Sequence, residues 1–110
     1  MTDLEQIEVT IDQSQDAINM HESLKKLIKN KDFKRVILDG YIKEEAIRLV
    51  QLKADLSMQK PEYQEDIDNR ILSIGYLNRY FQFLESIGSQ ALVSLEDSQN
   101  AREEILNGGE

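Results

Sequence analysis

Few residues of this chain could carry out chemistry, and their spacing argues against the common kinds of active site. His21 is the only histidine among the 110 residues, and there is no cysteine. A multi-histidine metal cluster, a two-histidine acid–base pair, a thiolate metal site and a cysteine nucleophile are therefore excluded. Because His21 falls on the apolar stripe of a predicted helix, we expect it to pack against a neighbouring helix rather than transfer protons.

The carboxylates occur as neighbouring pairs, such as Glu65–Asp66 and Glu103–Glu104. Adjacent residues of a helix do not face each other, so such a pair does not share a proton as a catalytic dyad does. The acidic residues at positions 62–68 could hold a cation only together with a neighbouring chain, and no EF-hand spacing is present. We therefore predict a solvated acidic surface without a metal.

None of the other sequence motifs indicates an active site. No glycine-rich phosphate-binding pattern is present, and the serine and threonine residues lack the histidine context of a hydrolase. We expect a protein that is not an enzyme and that uses no cofactor. Its function is then expected to lie in surfaces that bind other proteins.

The chain is acidic, with a formal charge of −8, but its charges are unevenly distributed. Residues 1–24 hold six acidic and no basic side chains, whereas residues 61–110 hold ten acidic and three basic ones. An acidic total disfavours general binding to nucleic acid, because Lys and Arg supply most of that affinity. No apolar run approaches the roughly 20 residues that span a bilayer, and the acidic N-terminus is unlike a signal peptide. We expect a cytosolic protein without membrane contact.

One cluster of charge has some specificity. This basic cluster consists of Lys25, Lys26, Lys29, Lys31, Lys34 and Arg35. It could contact nucleic acid or an acidic partner, or it could pair with acidic residues of this chain or of a neighbouring copy. We favour the pairing within the chain or between copies. Exposed ion pairs add little stability, but they can select orientation and partner.

The element that must position most of these residues is a long helix, predicted over residues 61–107. Pro61 suits the first helical position, and Asn107 to Gly109 provide a stop. From Ile74 to Leu95 the apolar residues recur at steps of three and four, as in a coiled coil. This predicted seam consists of Ile74, Leu77, Phe81, Leu84, Gly88, Ala91, Leu92 and Leu95. Gly88 lies on this seam, where it either permits a close approach or marks a bend.

The rest of the chain is also predicted to be helical. The first helix covers residues 3–30, with Thr2 and Glu5 as a capping box, although Ile7, Val9 and Ile11 also alternate as in a strand. Two short helices follow over residues 32–39 and 42–54, with Asn30 and Asp32 as candidate caps at the start of the first and a stop at Gly40 between them. The wide apolar stripe of the second short helix predicts that it is well buried. In the loop that follows, Leu56 and Met58 are expected to reach the core.

An aromatic segment in the long helix is the main candidate for partner contact. The candidate contact residues are Tyr76, Leu77, Tyr80, Phe81, Phe83 and Leu84. Phe81 belongs to the seam, whereas Tyr76, Tyr80 and Phe83 lie on other faces, so that the helix is apolar nearly all round. We favour wrapping by the middle helices as the explanation. The alternative is an exposed docking surface, to which tyrosine is well suited.

The segment NKDFKRVILDGYIKEEAIRLVQLKAD, residues 30–55, resembles a segment of small acidic helical proteins of tailed bacteriophages that are encoded among head and portal assembly genes. The resemblance extends from the N-terminal acidic helix to Met58 and Gln59, and more loosely into the C-terminal helix. It implies phage provenance, a role near virion assembly, and location in the cytoplasm of the infected cell or in the virion. It carries no catalytic residues.

Together these patterns predict an all-α, elongated helical hairpin with coiled-coil character. It has two long helices and two short middle helices, in a single domain covering residues 1–110. The predicted function is a non-enzymatic phage structural or assembly protein that forms homo-oligomers and binds a protein partner, for which capsid and portal subunits are candidates. Two alternatives are a prefoldin-like holdase chaperone and an acidic regulator of a nucleic-acid-binding host protein.

Overall fold

The computed structural model describes residues 2–108, and none of these residues forms a strand. The elements in chain order are α1 (Asp3–Lys29), α2 (Lys31–Phe33), a π-helical segment (Lys34–Glu45), α3 (Ala46–Ala54), a 3-10 turn (Leu56–Met58) and α4 (Pro61–Gly108). The prediction of an all-α fold with two long helices and shorter helices between them is confirmed. With 48 residues, α4 has an axis about 72 Å long.

Local capping explains where the helices begin. The N–H of Glu5 donates to Thr2 Oγ1 at 3.2 Å, as the predicted capping box requires. Asn30 separates α1 from α2, and its Oδ1 accepts from the N–H groups of Asp32 at 3.0 Å and Phe33 at 2.9 Å. Pro61 is the first residue of α4, as its fixed φ and missing N–H favour. Of the predicted stop residues, Gly109 lies outside the described residues.

The predicted break at Gly40 is wrong. Residues 31–54 form one helical run, called here the middle helix, and no described residue has a positive φ. Gly40 lies in the π-helical segment, where N–H groups bond to the carbonyl five residues earlier. A Cβ at position 40 would lie 3.0 Å from the carbonyl oxygen of Arg35. Glycine at this position therefore permits a close backbone approach instead of ending a helix.

The chain divides into two compact units. Unit 1 contains Met1–Lys25 and Phe83–Glu110, and unit 2 contains Lys26–Gln82. Helix α4 runs through both units without interruption at Gly88, so the alternative of two helices meeting there is wrong. The units differ in charge. Unit 1 carries twelve acidic and two basic residues, whereas unit 2 carries nine acidic and eleven basic ones.

In unit 1, α1 packs antiparallel to the C-terminal half of α4, and small residues form part of the seam. Ser14 is buried, and its hydroxyl donates to Ser94 Oγ at 3.3 Å. His21 packs directly against Gly88, where a Cβ would overlap with the Cβ, Cγ and Nδ1 atoms of the histidine. Gly88 therefore permits the close approach that was one of its two predicted roles.

In unit 2, the middle helix packs antiparallel to the first half of α4. Leu49 and Ile67 are its most deeply buried side chains, each 1% exposed. At one end of the unit, the rings of Phe33 and Phe81 meet edge to face with centroids 6.0 Å apart. At the other end, Lys53 Nζ donates to Asp68 Oδ1 at 2.6 Å. These two contacts fix the antiparallel order of the helices.

A short connection closes unit 2 between the middle helix and α4. The carboxylate of Asp55 accepts from the N–H of Ser57 at 2.8 Å and from its hydroxyl at 2.7 Å. The side-chain amide of Gln64 donates to the carbonyl oxygen of Met58 at 2.8 Å. Met58 is half-buried, but Leu56 is 91% exposed, so the prediction that Leu56 reaches the core is wrong. The polar hydrogen bonds hold this turn without it.

Candidate protein-contact surface

Four apolar or aromatic residues form an exposed row on one face of α4. Leu72, Tyr76, Tyr80 and Phe83 follow each other at steps of four, four and three, which places them on one side of a helix. They are 51%, 61%, 47% and 55% exposed, respectively. We call this row the tyrosine stripe. Leu72 was not among the predicted contact residues, although its position four residues before Tyr76 indicates that it shares their face.

The structure divides the six predicted contact residues into two groups. Tyr76, Tyr80 and Phe83 point outwards, whereas Leu77 and Phe81 are half-buried and Leu84 is only 6% exposed. The second group therefore faces the packed seam of the chain itself. Since the outward residues are exposed, the favoured explanation that the middle helices wrap α4 on all sides is wrong. The docking role of the exposed residues stays a prediction.

A second exposed apolar patch lies on α3. Ile47 and Val50 are more than half exposed, and they line a shallow apolar depression together with Ala46 and Gln51. The wide stripe predicted that this helix is well buried, and that prediction is wrong for these two residues. Ile47 and Val50 are exposed because unit 2 consists of only two packed helices. The face of each helix that points away from its one neighbour therefore stays in solvent.

The basic cluster is exposed throughout: Lys25, Lys26, Lys29, Lys31, Lys34 and Arg35. Within residues 2–108, Lys25 is the member for which an ion pair is seen, with 3.1 Å between its Nζ and Glu22 Oε1 one turn earlier on α1. The expected pairing with the acidic segments of the chain is therefore limited to this local contact. Three members, Lys31, Lys34 and Arg35, begin the middle helix, where the helix dipole gives them no stabilisation.

Acidic residues gather at the opposite end of unit 2, near the first turns of α4. Two of them form ion pairs within unit 2. Asp66 Oδ2 lies 3.0 Å from Arg70 Nε, and Asp68 Oδ1 lies 2.6 Å from Lys53 Nζ. Glu62 and Glu65 are exposed beside them. Because the Phe33–Phe81 contact places the start of the middle helix at the other end, unit 2 has one basic and one acidic end.

Two carboxyl groups of unit 2 have shifted pKa values with clear local causes. The hydrogen bond from Arg48 holds the pKa of Glu45 below its ordinary value. The pKa of Asp55 is also lowered, because the Ser57 hydroxyl and N–H both donate to its charged form. The first arrangement bridges one turn of the middle helix, and the second holds the connection between the middle helix and α4.

His21 occupies a packing position between two helices. His21 is half-buried in the seam of unit 1, in the packing position expected from the sequence. In the described part of the chain, no three His, Asp or Glu side chains come together as metal ligands would. No helix formed by residues 2–108 has both the length and the apolar character needed to cross a membrane.

Comparison with known proteins gave no relative from which a role could be transferred. No protein-family model, no curated protein and no solved structure matches this chain. The functional argument therefore depends on the surfaces of the molecule.

Proposed function

We propose that this chain is a non-enzymatic assembly protein that acts through helix-mediated contacts with other protein chains. The observation that carries the proposal is the tyrosine stripe on α4, which the fold leaves exposed. The resemblance of residues 30–55 to phage proteins supplies the setting, namely bacteriophage head or portal assembly in the cytoplasm of the infected cell or in the virion.

Tyr76, Tyr80 and Phe83 give the proposed surface its chemistry. Aromatic side chains bury a large area at low conformational cost, and the tyrosine hydroxyl remains compatible with solvent before binding. Residues of this type commonly dominate binding energy at interfaces. The basic cluster would then orient the partner through charge, since exposed charges influence approach and register more than affinity.

The double variant Tyr80→Ser/Phe83→Ser tests the proposal. We expect it to fold normally but to lose association with its partner chain, whether a second copy or a capsid or portal subunit. Light scattering reports association between copies, and co-sedimentation with assembled heads reports binding to them. The matched control is Leu92→Ser/Val93→Ser, which removes two equally exposed apolar residues elsewhere on α4. Unchanged association in both assays for the stripe variant would refute the proposal.

A second candidate function is favoured by the charge of unit 1. Its twelve acidic and two basic residues give it a formal charge of −10, which is more negative than the −8 of the whole chain. Such a surface could bind a basic, nucleic-acid-binding protein, as in the predicted alternative of an acidic regulator. This function predicts binding that weakens steeply with salt and that survives Tyr80→Ser/Phe83→Ser. Titration of a basic DNA-binding protein at two salt concentrations distinguishes the two functions.

A further inference from the structure

We propose that a groove along one side of unit 1 binds a basic amphipathic helix of another protein. This inference goes beyond the tyrosine stripe and does not depend on it. It narrows the second candidate function, which considered only the net charge of unit 1, to a defined site and to a partner of defined shape.

The groove consists of two adjoining depressions between α1 and the C-terminal half of α4, with volumes of about 550 and 270 Å³. Thr10 lines both depressions, so they form one continuous groove. On α1 the groove runs from Asp3 to Ala17, which are 14 positions and therefore about 21 Å apart along the axis. A helix of about 14 residues, or roughly four turns, has the same length.

The sides of the groove are formed by residues that the seam between the two helices does not need. In a two-helix seam, each helix contributes two rows of side chains. Ser14 and Ala91 belong to these rows, are buried, and form part of the floor of the groove. A third row on each helix lies to one side of the seam and consists of Thr10 and Ala17 on α1 and of Ile87, Ser94 and Ala101 on α4.

The five residues of this third row indicate that a further helix packs here. All five are half-buried and uncharged, and four of them are small. Positions that flank a two-helix seam and face solvent are often Glu or Lys. A third uncharged row is instead typical of a helix that faces more than one neighbour in a bundle. The small side chains leave room for the backbone of a third helix.

The charges around the groove specify a basic partner. Asp3 and Asp97 line one end, and Glu104 lies seven positions, or about two turns, after Asp97 on the same side of α4. Within residues 2–108 these carboxylates form no ion pair, and no Lys or Arg lines the groove. The other end has neutral Gln13 and Gln90. The complementary helix therefore carries Lys or Arg at the end that lies beside Asp3 and Asp97. A second unit 1, with its charge of −10, would be repelled.

A synthetic peptide tests the shape of the partner. The probe is a fluorescein-labelled helix of about 18 Ala, Leu and Lys residues, with leucines at steps of three and four and lysines near one end. The control peptide has the same composition, but its leucines are distributed around the helix. We expect fluorescence anisotropy to show binding of the probe and about tenfold weaker binding of the control. No binding of the probe, or equal binding of both peptides, would overturn the proposal.

Filling the groove tests the site. Thr10→Gln/Ala101→Gln adds length without charge and should weaken binding of the probe about tenfold. Ser23→Gln/Ser89→Gln is the matched control, because both serines are exposed on α1 and α4 away from the groove. Circular dichroism verifies that both variants are helical. Equal affinity of the two variants for the probe would contradict the proposed site.

Removing charge at one end of the groove tests the complementarity without changing the packing. Asp97→Asn/Glu104→Gln should weaken binding of the probe about fivefold and reduce its dependence on salt. Asp12→Asn/Glu96→Gln removes the same charge from exposed positions of unit 1 that do not line the groove, and should have a smaller effect. Equal weakening by both variants would mean that net charge alone attracts the peptide, and would overturn the proposal.

The outcomes separate this inference from the proposed function. Tyr80→Ser/Phe83→Ser should bind the probe as the wild type does, and loss of probe binding in this variant would overturn the inference. Failure of the wild type to bind the probe, with association that still depends on the tyrosine stripe, would overturn the groove and leave the proposed function intact. Self-association that is lost in Thr10→Gln/Ala101→Gln would identify a second copy as the occupant and also overturn the inference.

Discussion

At the scale of single residues, two glycines within α4 differ in what surrounds them. Gly75 is exposed, and a Cβ at this position would meet nothing within 4 Å. Gly88 is buried against His21, with no room for a Cβ. The two positions therefore separate the backbone cost of glycine in a helix from its steric role.

We predict that Gly75→Ala and Gly88→Ala change stability in opposite directions. Alanine at position 75 should stabilise the fold by about 0.5–1 kcal/mol, because it loses less conformational freedom than glycine. Alanine at position 88 should destabilise it by about 1–3 kcal/mol, because α1 and α4 must move apart. Urea denaturation monitored by circular dichroism measures both. Equal stabilisation by the two substitutions would mean that His21 does not pack against Gly88.

A second prediction concerns the turn held by Asp55. Its lowered pKa means that its contribution to stability is fully present above the pKa of the unfolded chain, near pH 4, and is lost as the pH falls through the lower folded value. Asp55→Ala should therefore be less stable than the wild type at pH 6, and this difference should shrink at pH 3. Ser57→Ala, which removes one donor, should show the same trend. A difference that grows towards acid pH would contradict this account.

Local sequence rules predicted the capping residues but not every special position. Thr2, Asn30 and Pro61 act through neighbours within three residues, so their roles could be inferred from the sequence. Gly40 looked like a stop because glycine often ends helices. Its actual role depends on a carbonyl five residues earlier in a π-helical segment, a geometry that no residue type specifies by itself.

At the scale of elements, neighbouring aromatic residues of α4 should have different roles. Phe81 packs against Phe33, whereas Phe83 is 55% exposed on the tyrosine stripe. Phe81→Ala should destabilise unit 2 by about 2 kcal/mol, less than for a fully buried phenylalanine because Phe81 is half-buried. Phe83→Ala should change stability by no more than about 0.5 kcal/mol. Thermal unfolding of the two variants, which remove the same atoms, provides the comparison.

The periodicity of the seam predicted which residues of α4 pack, but not how many helices surround it. Ile74, Leu84 and Ala91 were placed on the seam and are buried. Leu92 was placed there as well, yet it is 53% exposed. Two adjacent positions of a helix point in different directions, so Ala91 and Leu92 cannot both face the same neighbouring helix. The exposed sides of α3 and α4 could not be inferred, since an apolar stripe indicates burial without indicating whether the covering surface belongs to the same chain.

At the scale of the whole molecule, charge and apolar surface are organised by unit. Unit 1 concentrates the acidic residues, and unit 2 carries the tyrosine-rich part of α4 between a basic and an acidic end. The division into units was not visible in the sequence, because each unit combines segments from distant parts of the chain. In the folded chain, the strong negative charge of unit 1 disfavours contact between the unit 1 surfaces of two copies. Unit 2 is therefore the better surface for contact between copies.

The central claim is that the tyrosine stripe mediates association, and its most direct test is the solution mass of the wild type and of Tyr80→Ser/Phe83→Ser. Multi-angle light scattering over a concentration series gives both masses under the same conditions. The account predicts an oligomer for the wild type and the 12.7 kDa monomer for the variant, with equal helical content by circular dichroism. A variant that keeps the mass of the wild-type oligomer at every concentration would contradict it.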